Sequence, residues 1–135
     1  MTDFWNHDPK MAAALEGVAA LMAETVRSSS FPLGEEVSAL VESNGKMLRP
    51  ALLLIGAGFG AKARQERLYS LAAAVELLHV STLIHDDVID EAELRRGVPT
   101  LHTRLGTKEA ILAGDWLFSR CFMLAAESTD ASNAV

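Results

Sequence analysis

Apolar residues recur at three- and four-residue intervals through most of the chain, the spacing of helices with one buried face. The first run, Met11, Leu15, Val18, Leu21, Met22 and Val26, follows Asp8-Pro9, which can cap and open a helix, and it stops at Ser28-Ser29-Ser30. A second helix is predicted from near Pro32, with Val37, Leu40 and Val41 turned inward. Asn44-Gly45 breaks it, since both residues tolerate left-handed backbone angles. Pro50 falls in the first turn of a third helix, which holds Leu52 to Ile55 and fades through Gly56, Gly58 and Gly60. A long helix then runs from about Ala63 to Asp90, with Leu68, Leu71, Ala72, Val75, Leu78 and Leu83 on its apolar positions. Gly97-Val98-Pro99 marks a loop. After Gly106 a last helix, with Thr107 as N-cap, continues to about Glu127, and the small, polar tail from Ser128 to Val135 frays. The pattern predicts an all-α helical bundle in one domain over residues 1–135, with no internal repeat.

Composition agrees with that fold. Half of the 135 residues are hydrophobic, mostly Ala, Leu and Val, and four Pro and nine Gly are too few for a turn-rich β protein. A net charge of −6 argues against a nucleic-acid surface, which is basic, but leaves room for a local basic pocket. The single cysteine, Cys121, cannot form an internal disulfide and reads as a small core residue, which fits a reducing cytoplasm. Met1-Thr2-Asp3-Phe4-Trp5 lacks the basic and apolar pattern of a signal peptide. The longest uncharged stretch, Ala51 to Ala61, is too short to span a bilayer. A cytoplasmic protein without a transmembrane segment is expected.

The chemistry concentrates at the end of the long helix, in Leu83-Ile84-His85-Asp86-Asp87-Val88-Ile89-Asp90-Glu91. On a helix Asp86 and Asp90 lie one turn apart on one face, with Asp87 beside Asp90. Clustered carboxylates repel one another and sit badly at a helix C-terminus, whose dipole is already negative. A hard divalent cation compensates such charge, and Mg²⁺ is commonly held by one or two carboxylates plus substrate phosphates. A solvated acidic helix end is the plainer alternative. Arg95-Arg96, one short loop later, can pair with Glu91 and Glu93 or can fork onto a diphosphate. Gly45-Lys46-Met47-Leu48-Arg49-Pro50 opens a helix, where Lys46 and Arg49 can converge and free N–H groups favour an anion. The same residues also suit an ordinary basic surface.

Together these segments resemble the trans-polyprenyl diphosphate synthase family over most of the chain from Asn44 to about Glu127. Asp86-Asp87-Val88-Ile89-Asp90, with the flanking Leu-Ile-His and Arg-Arg-Gly, is similar to the family's first aspartate-rich motif. Gly45-Lys46-Met47-Leu48-Arg49-Pro50 is similar to its Gly-Gly-Lys-Arg-Leu-Arg-Pro string, with Asn44 in place of the first glycine and Met47 in place of an arginine. The resemblance implies the N-terminal part of the isoprenoid synthase fold and a Mg²⁺-dependent transferase. Such an enzyme condenses isopentenyl diphosphate with an allylic diphosphate to give a longer trans product. It implies that Asp86 and Asp90 bind Mg²⁺ on the allylic diphosphate, with Asp87 as a further acid. It implies that Lys46, Arg49, His79 and Arg96 bind isopentenyl diphosphate, and that Arg95 contacts the allylic diphosphate. Ser81 and Thr82, small where short-chain relatives carry aromatics, point to a longer product, although small residues also permit close helix packing.

Family members are more than twice as long and carry a second aspartate-rich motif, which no other segment of this chain matches. The resemblance therefore implies that the C-terminal half is absent and that the chain alone is inactive. Exposed apolar faces would favour a homo-oligomer or a partner subunit, and a non-catalytic small subunit that binds a partner chain is the rival reading. Glu76-Leu77-Leu78-His79 also has the Glu-x-x-His spacing of di-iron bundles, but a second such pair is missing from the sequence.

Overall fold

The computed structural model describes residues 3–28, 30–43, 45–60 and 64–128. Among them the chain forms α1 (Pro9–Arg27), α2 (Gly34–Glu42), α3 (Leu48–Ala57), α4 (Gln65–Ile89), α5 (Leu101–Leu105) and α6 (Thr107–Ser128). A hairpin of two-residue strands, β1 (Leu94–Arg95) and β2 (Val98–Pro99), joins α4 to α5, so the all-α expectation holds.

The helix ends follow local chemistry. The Asp8 carboxylate accepts from the N–H groups of Lys10 and Met11, both at 3.1 Å, which caps α1 as expected. Pro32 does not open α2. The helix begins at Gly34, after a turn closed by the Gly34 N–H on the Phe31 carbonyl. Asn44 lies outside the described residues. Gly45 is not left-handed, and the residue that takes that conformation is Met47 (φ 52°), immediately before α3. The Ala110 N–H bonds the Gly106 carbonyl, so Gly106 rather than Thr107 caps α6. Gly97 and Arg96 form the hairpin turn with φ 81° and 53°, the positive pair that a two-residue connection needs. Neither the hairpin nor α5 was legible as more than a loop.

Helix α4 is the centre of the bundle and packs against α6, α1 and α3. Its buried stripe includes Ala73, Leu77, Val80 and Ile84, while of the expected positions Ala72 is buried, Leu68, Leu71, Val75 and Leu83 are half-buried and Leu78 is exposed. The predicted stripe is therefore rotated. Apolar and polar residues are spread around α4 with almost no sidedness, which gives no single preferred face in sequence. Leu77 is fully buried, and cutting it to Ala should cost about 2–5 kcal/mol. Facing it, Ala110, Ala113, Gly114 and Leu117 of α6 are buried, and small residues there let the two helices approach closely. Leu15, Val18, Met22 and Val26 of α1 and Val37 and Val41 of α2 complete the core.

By length and composition alone α4, with 25 residues, could cross a membrane, which the uncharged-stretch criterion did not anticipate. Core helices share those properties, and nine of its residues are buried inside the bundle. Apolar side chains remain uncovered on α3 (Leu48, Leu52 and Ile55), on the turn after it (Phe59) and on α6 (Ile111, Leu112, Phe118, Phe122 and Met123).

Candidate active site

The C-terminal end of α4 meets the hairpin. Asp87 is buried, and its Oδ1 accepts from Arg95 Nε at 2.8 Å and lies 2.7 Å from Arg95 Nη2. The hairpin is held in place to make this pair. The Ala92 N–H donates to the Asp87 carbonyl (3.0 Å), and the buried Thr100 hydroxyl donates to the Ala92 carbonyl (2.7 Å). The hydrogen bond to Asp87 raises the Arg95 pKa above its ordinary value. Burial opposes this, and the charges of Asp87, Asp86 and Asp90 reinforce it. The crowding of acids at a negative helix end, noted from sequence, is thus relieved partly by a cation the chain itself supplies.

Asp86 and Asp90 are exposed, and among the described residues neither carboxylate is held by a cation. Among the described residues, too, no three His, Cys, Asp or Glu side chains converge into a ready-made metal cage. Two exposed carboxylates one turn apart suit a cation that takes its remaining ligands from water and phosphate, so this donor set fits Mg²⁺.

Basic residues gather beside this acidic face. Burial lowers the His79 pKa below 6.5. The positive charges of Arg49, Arg95 and Arg96 lower it further, and the nearby Asp86 raises it. His79 is therefore biased toward its neutral form and lies within electrostatic reach of cations from α3 and the hairpin. The Arg96 guanidinium lies against Gly45, with Nη1 2.9 Å from where a Cβ would sit, so a side chain at that position would displace it. Lys46 follows Gly45 and is exposed, with its ammonium 5.0 Å from the Phe4 ring centroid. Segments far apart in sequence thus bring Arg49, His79, Arg95, Arg96 and Asp86 within electrostatic reach, with Lys46 alongside.

Ser81 and Thr82 point to different places. Ser81 is completely buried, and its hydroxyl donates to the Gly114 carbonyl of α6 at 2.9 Å. Thr82 is exposed, and its hydroxyl bonds the His79 carbonyl at 2.8 Å. Sequence reasoning missed the neighbour of this contact. His85 lies over Gly114, and its Nε2 is 3.3 Å from Asp115 Oδ1. The geometry of that approach falls short of a hydrogen bond. A glycine followed by an acid on the partner helix is the one trace in the sequence. Cys121 is buried as expected, and its thiol donates to the Leu117 carbonyl at 3.1 Å. A concavity of about 700 Å³ between the end of α1 and α2 shares no residue with this cluster.

A bundle whose central helix ends in free carboxylates beside arginines and a histidine defines a class, the all-helical isoprenoid synthase fold. The match to solved structures bears this out. The geranylgeranyl pyrophosphate synthase of Lactobacillus brevis superposes with a TM-score of 0.88 at 39% identity, covering 96% of this chain and 41% of that one. A polyprenyl synthase of Caulobacter crescentus, complexed with calcium and isoprenyl diphosphate, gives 0.80 at 34% identity, over 90% of this chain and 37% of that one.

Residues 32–135 match the polyprenyl synthetase family, and the chain belongs to it. Heptaprenyl diphosphate synthase component 2 of Geobacillus stearothermophilus is 41% identical over 113 residues, which is 84% of this chain and 35% of that protein. The chain spans about a third or less of the length of the curated relatives it matches.

Proposed function

We propose that the chain carries one wall of the active site of a trans-polyprenyl diphosphate synthase. The observation that carries this reading is the meeting of Asp86 and Asp90 with Arg49, His79, Arg95 and Arg96 at one end of α4. Lys46, Arg49, His79 and Arg96 bind and orient the diphosphate of isopentenyl diphosphate. Asp86 and Asp90 would hold Mg²⁺, a choice supported by the calcium and isoprenyl diphosphate in the Caulobacter relative. Bound there, the ion would add positive charge where the allylic diphosphate leaves. Arg95, kept charged and aimed by Asp87, stabilises the charge that gathers on the leaving group.

In the reaction the allylic C–O bond breaks, giving an allylic cation and pyrophosphate. The double bond of isopentenyl diphosphate attacks that cation, and loss of a proton to the departing pyrophosphate yields the longer trans diphosphate. Thr82, small and exposed one turn before Asp86, would meet the growing chain, whereas Ser81 is committed to α6. Geranylgeranyl and heptaprenyl synthases are both similar to this chain, so likeness alone does not choose a product length.

Carboxylates on an opposite wall are needed for a full site, and this chain alone is proposed to be inactive. The uncovered apolar faces of α3 and α6 would pack against the remainder of a longer protein, a partner chain or a second copy. A small subunit without catalysis of its own is the second reading, favoured by the likeness to a protein that is itself one component of a synthase.

The test is incubation with labelled isopentenyl diphosphate, allylic primers and Mg²⁺. It is run on this chain and on any longer version from the same gene, and repeated with candidate partner chains. Trans-polyprenyl product is expected only from the longer or partnered forms, and Asp86→Ala in those forms should abolish it. Full turnover by that variant would remove the assignment of the acidic face.

A further inference from the structure

The basic loop before α3 is held from both sides, and only one side belongs to the cluster already described. From the hairpin, the Arg96 guanidinium lies against Gly45. From the N-terminus, the Trp5 indole N–H donates to the Lys46 carbonyl at 2.7 Å, a bond that spans 41 positions of chain. Trp5 is half-buried against the core, so the donor is anchored. Phe4 stands edge-on to Trp5, with ring centroids 5.0 Å apart, and its face carries the Lys46 ammonium 5.0 Å from the centroid. The next residue, Met47, is buried in a left-handed conformation that a methionine rarely adopts. Such a backbone persists only where its surroundings enforce it. The Trp5 bond on one side of Met47 and its own buried side chain provide that enforcement. Arg49 and the first turn of α3 inherit their direction from it.

We infer that Phe4 and Trp5 form a strap that positions Lys46 and the start of α3 to receive an anion. Trp5 fixes the backbone through the Lys46 carbonyl. Phe4 holds the Lys46 ammonium over its ring, restricting the side chain before an anion arrives, and keeps that contact when phosphate oxygens bind. Both are positioning residues that act through Lys46 and Arg49. The inference rests on the diphosphate reading of the basic cluster, and it adds residues from a segment outside every motif singled out in the sequence.

The test uses the full chain and inorganic pyrophosphate with Mg²⁺, followed by titration calorimetry, with amide hydrogen exchange read at Lys46 to Arg49. Trp5→Phe keeps the ring and removes the donor. It should weaken pyrophosphate binding by about three- to ten-fold, the worth of one hydrogen bond. Exchange in the loop should quicken while α4 stays unchanged. Phe4→Leu, an exposed position that the fold does not need, should weaken binding by about two- to five-fold. In a Lys46→Ala background Phe4→Leu should have no further effect. Binding by the wild type with equal affinity in both variants overturns the strap and leaves the diphosphate reading intact. No binding by the wild type overturns the diphosphate reading and the strap with it.

Discussion

Gly114→Ala tests the packing beneath the acidic face, because two effects of opposite sign act there. Alanine favours a helix over glycine by about 1 kcal/mol, so in open space the substitution would stabilise α6. The space is not open. A Cβ at position 114 would lie 2.3 Å from His85 Nε2, 2.6 Å from Cδ2 and 3.0 Å from Cε1. Ordinary carbon contacts begin near 3.5 Å, so the ring must move by roughly an ångström or more. The backbone of α6 cannot easily slide away, since the Gly114 carbonyl is held by the buried Ser81 hydroxyl. His85 can leave only by rotating out, which gives up its 3.3 Å contact with Asp115.

Overpacking of this kind costs about 1–3 kcal/mol, and subtracting the helix gain leaves a net loss of about 0–2 kcal/mol. For a chain of this size that is a fall in melting temperature of up to roughly 8 °C. Thermal and urea unfolding of wild type, Gly114→Ala, His85→Ala and the double variant would measure it. In the double variant the clash is gone, and a coupling of about 0.5–3 kcal/mol should appear. A Gly114→Ala protein more stable than wild type by the full helix gain of about 1 kcal/mol would refute the contact, and so would a double variant that recovers nothing.

Three further outcomes follow from the site. The His79 titration midpoint, read by NMR, should lie below 6.5. Because the unfolded chain then binds the proton more readily, stability should fall as the pH drops through 6.5 toward the folded midpoint, and added pyrophosphate should move that midpoint upward. A midpoint at or above 6.5 would contradict the cationic surroundings. Asp87→Asn removes the charge that aims Arg95. Since Arg95 is 38% exposed, the loss is scaled down from the several kcal/mol of a fully buried pair to about 1–2 kcal/mol in urea unfolding. Unchanged stability would mean that the pair does not persist in solution. Burial pushes the Cys121 thiol up to about 11, so at pH 8 a thiol reagent should react only as fast as the chain opens, and rapid labelling of the native protein would contradict its placement.

The sequence by itself determined the helices, their order and the residue types of the chemistry. Apolar spacing, Asp8-Pro9 and the glycines and prolines between runs act within a few residues, so they are legible along the chain. The three aspartates and the Lys46 and Arg95 segments were likewise visible as local strings. Tertiary structure decided what those strings face. It turned Asp87 inward onto Arg95 and left Asp86 and Asp90 exposed. It brought Arg49 and Arg96 to bear on His79. It separated Ser81 from its neighbour Thr82, and it paired His85 with Gly114 and Asp115. Helix α4 has almost no amphipathic sidedness, so its sequence alone does not say which side meets α6. That choice comes from the small residues of the partner helix, and the aim of every charged group at its end comes with it.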